Sequence, residues 1–285
     1  MNHLLQTIND DEYKSNNLNF DYEFYINLYP DVIQSGFKDY DKALGHWNNF
    51  GKFEGRVCNN DMLLLKLKTS LKNTIEKIGN TNITLPNHNN YLINILVRTH
   101  SRPELFSSCI NSIYQQNLDC KIISSFDNTE DLNYLVNYPE IEAIYLSISN
   151  THKYKFNLYC NHLMEHVQDG WIFFLDDDDM FLHPNSLKII LQNIETEFDL
   201  IIWKFLRPDG EIYPKNIDNI KLGEICSCNF CFHSRFKNLA SWQSRKCGDY
   251  YFFSELISRF NFNIKLIPIS LTSNIEVNKI GNFGR

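Results

Sequence analysis

Long apolar runs are missing from this chain of 285 residues. The longest candidates, WIFFL at 171–175 and LIIWKFL at 200–206, have the length of a strand. A membrane-spanning helix needs about 20 consecutive apolar residues, so no membrane span is expected. The first residues, MNHLLQTINDDEYK, lack the basic start and apolar stretch of a signal peptide. No block rich in Lys and Arg occurs, and the formal net charge is -7. Nucleic acid and anionic membrane surfaces are therefore poor partners. Eight cysteines without a secretion signal predict reduced thiols and a cytoplasmic location.

The cysteines also lack a usual zinc spacing. Cys226-Ser-Cys228-Asn-Phe-Cys231-Phe-His233 invites a metal reading. As a strand, however, it would turn Cys226 and Cys228 one way and Cys231 and His233 the other. Buried thiols in a core strand are the simpler expectation.

What is present describes a globular α/β chain. Hydrophobic residues make up 43% and charged residues 21%, outside the range of a disordered protein. Residues 1–58 form a small helical module, polar and frayed over 1–17 and aromatic from 18 onward. Asp21 can cap a helix through Phe24, Tyr25 and Leu28. Pro30 and Gly36 punctuate the chain, and Asp39 or Asp41 can cap a second helix through Trp47, ended by Gly51. Residues 59–90 hold an amphipathic helix and a linker. Leu64, Leu67, Leu71, Ile75 and Ile78 recur at helical spacing, Gly79 closes the helix, and the linker runs over 80–90.

From 91 to 285 strand-like and helix-like runs alternate. INILVRT, KIISSF, EAIYLSI, WIFFL and DLIIWKFL read as strands, separated by helical stretches. Such a pattern predicts a mostly parallel sheet flanked by helices on both faces. Ligands of such sheets bind beyond the carboxyl ends of the strands. The first strand ends in Arg98-Thr99-His100-Ser101-Arg102-Pro103, two arginines leading into a helix whose N-terminus could receive a diphosphate. The second is followed by Asp127, able to accept from an imide N–H or simply to cap a helix. The fourth delivers Asp176-Asp177-Asp178-Asp179. Four adjacent carboxylates repel one another, and a divalent cation among them removes that cost. Mg2+ and Mn2+ favour such oxygen ligands. Strand alternation would put Asp176 and Asp178 on one side and Asp177 and Asp179 on the other.

In their order and separation, NILVRTHSRPELFSSCINSIYQQ, KIISSFDNTED and GWIFFLDDDDMF resemble the opening, the uridine-contacting loop and the DXD segment of GT-A glycosyltransferases. The nearest likeness is to the inverting family-two group, and it covers about residues 91–260. The resemblance implies a GT-A, Rossmann-like domain. It implies a nucleotide-sugar donor, often a UDP-sugar in that family, and a glycan or other hydroxyl acceptor. Mn2+ or Mg2+ would be the cofactor. Thr99 with Arg98 or Arg102 would lie near the nucleotide. Asp127 would contact the base, although the family pattern has two adjacent acids where this chain has Phe126-Asp127. Asp176 and Asp178 map to the DXD acids that bind the metal, with Asp177 beside the donor. A late histidine completes the metal shell in some relatives, and His233 is the candidate here. Lys155 and Asn157, ahead of the DXD segment, are candidate donor contacts. Asp249, at the start of a helix with Phe253 and Leu256, maps to the catalytic base, with Gly248 where the family often has a second acid.

The aromatic module has a resemblance of its own. FDYEFYINLYPDV…HWNNFGKFEGR is similar to a short helical motif attached to glycosyltransferases and other proteins; the segment reads as a small helical hairpin packed by its aromatics, or as a docking module for a protein contact. Two rival readings remain: a non-catalytic glycan- or partner-binding protein on the same fold, and a nucleotidyltransferase. The second would usually carry glycine in the loop after the first strand, and RTHSRPE has none.

Overall fold

The computed structural model describes residues 20–79, 92–148, 153–216 and 219–274. The segments expected to fray (1–17) and to link (80–90) lie outside them. The chain divides into two compact units between Lys68 and Thr69, and each is described by itself.

The first unit is helical. Asp21 caps α1 (Tyr22–Leu28) by accepting from the Phe24 N–H at 3.0 Å. Pro30 opens α2 (Pro30–Gln34). Asp39, the first of the two expected candidates, caps α3 (Tyr40–His46) through the Lys42 N–H at 2.9 Å. A π-helical turn, Trp47–Gly51, follows. Tyr25, Val32, Ala43 and Trp47 form the core, and the Tyr25 hydroxyl meets His46 Nδ1 at 3.0 Å. Arg56 clamps Asp31 with two hydrogen bonds, at 2.8 and 3.1 Å. The YPD and EGR parts of the aromatic motif are thus halves of one charge-assisted contact.

The division falls inside α4 (Asn60–Gly79), the expected amphipathic helix. Its buried positions are Leu63, Thr74 and Ile78, whereas Leu64, Leu71 and Ile75 are exposed. Helical spacing finds a stripe, but its neighbours decide whether it is covered.

The second unit is built on one sheet. In chain order its elements are β1 (Ile93–Arg98), α5 (Pro103–Tyr114), β2 (Lys121–Phe126), α6 (Leu132–Leu135), β3 (Glu142–Tyr145), α7 (Lys155–Glu165), β4 (Trp171–Phe174), β5 (Asp179–Phe181), α8 (Ser186–Gln192), β6 (Asp199–Leu206), β7 (Ile212–Tyr213), β8 (Phe230–His233), α9 (Gly248–Arg259) and β9 (Asn263–Asn274). The sheet order is β3-β2-β1-β4-β8-β6-β9-β5, with β7 on β6. The first four strands are mutually parallel. Beyond β4, β8 runs antiparallel to both neighbours, β6 and β9 are parallel, and β5 is antiparallel to β9. Both faces are buried, as alternation along each strand requires. Ile95, Val97 and Phe173 pack on one side with Phe106 and Ile110 of α5. Leu96, Ile172 and Phe174 pack on the other with Leu163 of α7 and Phe252 of α9.

An Asp-Gly turn, Asp209-Gly210, joins β6 to β7. Gly210 takes a positive φ of 78° between β6 and β7, and the Arg207 N–H reaches the Glu211 carbonyl at 2.8 Å. The run 226–233 is only partly a strand. Ser227–Asn229 form a 3-10 turn, and only Phe230–His233 extend.

Candidate functional site

The register of the parallel strands assembles most of the site. Leu96 of β1 pairs with Phe174 of β4, and Arg98 pairs with Ser125 of β2. Two residues beyond each of these positions, Arg98 lies beside Asp176, and Asp127 emerges on the neighbouring strand. The Asp177 N–H donates to the Arg98 carbonyl at 3.1 Å, which continues the ladder past the strand ends.

Each of the first three acids meets an arginine. Arg98 forks onto Asp176, with Nε to Oδ1 at 2.6 Å and Nη2 on Oδ2, and its Nη1 donates to the Phe156 carbonyl at 2.8 Å. Arg102 holds Asp177 through Nε at 3.1 Å and through Nη2, and reaches Asp178 through Nη1 at 3.1 Å. Thr99 donates to Asp177 at 2.8 Å and contacts the Tyr134 hydroxyl. Electrostatic repulsion along Asp176–Asp179 is therefore relieved in part by the chain's own guanidiniums. Two arginines serve the first three acids, and none of the described ion pairs reaches the fourth.

The acids split by burial as alternation predicts. Asp177 and Asp179 are buried at 0% and 1% exposure, whereas Asp176 and Asp178 keep about a fifth of their side chains exposed, at 21% and 22%. The backbone is nevertheless a turn, with the Asp179 N–H on the Asp176 carbonyl at 2.8 Å. Burial pushes the Asp177 carboxyl up to about 8, against the pull of Arg102. Asp179 is raised well above the usual range by burial, with the nearby Cys226, Asp178 and Asp176 adding to it. Oxygens of Asp176, Asp178 and Asp179 lie within 4.8 Å of one another. An all-oxygen set fits Mg2+ or Mn2+.

Asp127 sits at the other side of the loop after β1. Its carboxylate accepts from Lys155 Nζ at 2.8 Å and the Tyr159 hydroxyl at 2.5 Å, and meets His100 Nδ1 at 2.5 Å. Burial alone would raise its pKa, but these partners hold it below the ordinary value. Lys155, expected at the donor, thus braces Asp127. His100 and Tyr159 were not singled out by sequence; only the fold brings α7 against the loop after β2.

Asn157 is buried at 5% exposure. Its amide donates to the carbonyls of Gln243 and Arg245 at 3.1 and 2.7 Å, tying α7 to the chain ahead of α9. A Cβ on Gly248 would stand 2.4 Å from Asn157 Nδ2, so a second acid has no room there. Asp249 follows in the first turn of α9 and is not its cap; Cys247 holds that position, with a positive φ of 56°. Asp249 Oδ1 accepts the Tyr250 N–H at 2.8 Å. Burial raises the Asp249 carboxyl to about 6, opposed by that N–H and by the charge of Arg98, and reinforced by Asp176.

His233 is the exception. It pairs with Trp171, at the amino end of β4, while the acids follow its carboxyl end. Its Nε2 lies 3.6 Å from Asp169. Five residues of extended chain, at about 3.3 Å each, separate it from Asp176. A place in the same metal shell is excluded, because the antiparallel entry of β8 carries His233 away from the strand tips. The 3-10 turn preceding β8 does the opposite: Ser227 Oγ approaches Asp176 Oδ2 at 3.4 Å, and Cys226 and Cys228 gather beside Asp179.

Compared by sequence, the chain matches no family model and no curated protein. Compared by structure, it resembles S. aureus TarS 1-349 with a TM-score of 0.52 at 13% identity, over 64% of this chain and 60% of that one. TarS 1-349 in complex with UDP-GlcNAc gives 0.53 at 14% identity, over 67% and 61%. The mannosyltransferase PcManGT from Pyrobaculum calidifontis, in complex with GDP-Man and Mn2+, gives 0.52 at 9%, over 78% and 67%. The chain thus spans about three fifths of the TarS 1-349 length. At these identities the likeness establishes the fold alone, one shared with TarS 1-349 and with this mannosyltransferase. Among the described residues no helix is long and apolar enough to cross a membrane.

Proposed function

We propose that the chain is a metal-dependent glycosyltransferase, moving a sugar from a UDP-linked donor to an acceptor hydroxyl with inversion at the anomeric carbon. One observation carries this reading. The aligned tips of β1, β2 and β4 bring Arg98, Asp127 and Asp176 to one edge of the sheet, and Asp249 lies within the electrostatic reach of Arg98 and Asp176.

Asp127 would receive the base. A carboxylate offers about four acceptor sites, and the three contacts to Lys155, Tyr159 and His100 leave room for one imide N–H. Thr99, Arg98 and Arg102 would face the diphosphate. Asp176 and Asp178 would hold Mn2+ or Mg2+. When bound, that ion supplies charge neutralisation of the diphosphate leaving group. Arg102, already on Asp178, would turn one donor toward a phosphate oxygen as the carboxylate turns away.

Asp249 would be the base. A carboxyl at about 6 is ionised at neutral pH and still basic enough to accept a proton from an alcohol as it attacks. The acceptor oxygen forms its bond to the anomeric carbon while the carbon–oxygen bond to the diphosphate breaks, and the hydroxyl proton passes to Asp249. A single displacement inverts the configuration.

The deciding experiment is a donor-hydrolysis screen of nucleotide sugars with and without Mn2+, alongside calorimetry with UDP. Release of UDP from one donor, dependent on the cation, is expected. UDP binding without turnover of any donor or acceptor would instead mark a binding protein, and failure to bind any nucleotide would remove the reading altogether.

A further inference from the structure

Asp179 differs from the three acids before it. Among the described residues no cationic side chain is paired with it, although Arg98 and Arg102 serve its neighbours. Among the described residues its carboxylate accepts only two hydrogen bonds, both long, from the Asp176 N–H and from Asn274 Nδ2 at 3.3 Å. It is 1% exposed. A buried carboxylate in this position is costly unless it is neutralised, paired or bound to a metal.

Two thiols close the other side. Cys226 and Cys228 sit on the 3-10 turn Ser227–Asn229, whose shape is fixed from within and from the sheet. The Asn229 side chain accepts the Cys226 N–H at 2.9 Å and donates to the Trp203 carbonyl at 2.9 Å. Thr272 of β9 donates to the Cys228 carbonyl at 2.8 Å. Extended chain would place two cysteines spaced i and i+2 on one face but farther apart; the turn draws them together. A carboxylate oxygen of Asp179 and both Sγ atoms lie within 4.8 Å of one another. A tetrahedral ion with bonds of about 2.0–2.3 Å holds its ligands roughly 3.5–3.8 Å apart, so small side-chain rotations close the set.

We propose that Asp179, Cys226 and Cys228 form a site for a thiophilic divalent cation of the Zn2+ type, separate in chemistry from the oxygen-only face of Asp176 and Asp178. The donor set is two sulfurs and one carboxylate, which favours a borderline-soft ion over Mg2+ or Mn2+. Three protein ligands leave one tetrahedral position open. Cys226, the less buried of the two thiols, lies on the approach from solvent. Ser227, between the thiols, touches Asp176, so occupancy is linked to the outer acids.

The test needs no substrate. The reduced, chelator-treated full chain is titrated with Co2+, a spectroscopic stand-in for Zn2+. A thiolate-to-cobalt charge-transfer band should grow to one equivalent, with visible bands of tetrahedral intensity, and Zn2+ should displace it while Mg2+ should not. Cys226→Ser should weaken Co2+ binding at least tenfold, and Cys226→Ser/Cys228→Ser should abolish the band. Cys247→Ser, on a different loop, should leave it intact. If the double variant loses its native circular dichroism, the single Cys226→Ser decides. Absence of the band in the native chain, or an unchanged Co2+ affinity in Cys226→Ser, would overturn the assignment. Neither outcome depends on whether the chain transfers sugar.

Discussion

Asp127 and Asp249 are the two carboxylates given contrasting roles in the proposed site, and their surroundings push them in opposite directions. Three side chains from two elements converge on Asp127 and hold it ionised. Asp249 has one backbone N–H and is otherwise desolvated, and its carboxyl rises to about 6. An acid with several fixed donors is suited to hold a position and a charge. An acid left to burial is suited to change its proton. Divergence of this kind between neighbouring titratable groups is how one site separates binding from proton transfer.

The sharpest way to break the comparison is Asp249→Asn. It should lower kcat by about 10²–10⁴-fold, the usual contribution of a general base, with UDP affinity unchanged by calorimetry. An unchanged rate would remove Asp249 from the chemistry. The pH profile asks the same question without a mutation. Asp249 must be ionised to act, so kcat/KM should rise roughly tenfold between about pH 5 and about pH 7 and level off above. The sign for stability is the reverse. A carboxyl raised in the folded state stabilises the fold below its unfolded pKa and loses that contribution as pH rises through about 6. Thermal melts in chelator should therefore show a loss over that window, and Asp249→Asn should flatten it.

Gly248→Ala probes how Asp249 is placed. The new Cβ meets Asn157 Nδ2 at 2.4 Å, so the start of α9 must shift. A cost of about 1–3 kcal/mol in denaturant unfolding is expected, with a drop in kcat exceeding any change in KM. On the Asp127 side, Lys155→Met should weaken UDP binding by about three- to tenfold and leave kcat at saturation nearly intact, because it removes one charge-assisted bond from a group that positions. An equal loss in kcat would contradict the division of roles. The smallest effect is expected from His233→Ala. It lies at the far end of β4, and the Mn2+ concentration giving half-maximal activity should not move.

The parallel half of the sheet was legible in the sequence. INILVR, KIISSF and WIFF are apolar runs of strand length with helices between them, and β1, β2 and β4 lie where they were expected. The acids at their ends were legible for the same reason: polar residues that stop an apolar strand abruptly mark its exposed edge. In the second half only β6, read as DLIIWKFL, was legible. β9 carries Pro268 within NIKLIPISLTSN, and proline argues against a strand. The pairing survives through a shift of register next to it, where Ile267 faces Trp203 but Ser270 faces Lys204. β5 is three residues long, too short to show a period, and it begins with Asp179 itself.

The cysteines show the limit most directly. Alternation along an assumed strand separated Cys226 and Cys228 from Cys231 and His233, yet Cys226, Cys228 and Cys231 pack in one cluster. Alternation could not show that the first two leave the sheet in a 3-10 turn, because Asn229 and Thr272, which shape that turn, make contacts distant in sequence. His233 failed as a metal candidate on the same ground. Its chemistry was suitable, but strand direction put it at the wrong end.

Composition and periodicity by themselves determined that this is an α/β chain with an acidic edge at the end of a buried strand, since both follow from local rules of burial and repulsion. Which acid meets which partner was decided by tertiary structure alone. Arg98 and Arg102 pair with Asp176, Asp177 and Asp178 across strands, α7 and the loop after β1 fix Asp127, and Asp179 is left to the thiols. Charge pairing depends on separations of a few ångströms between segments as many as 78 residues apart, and no local pattern records those distances.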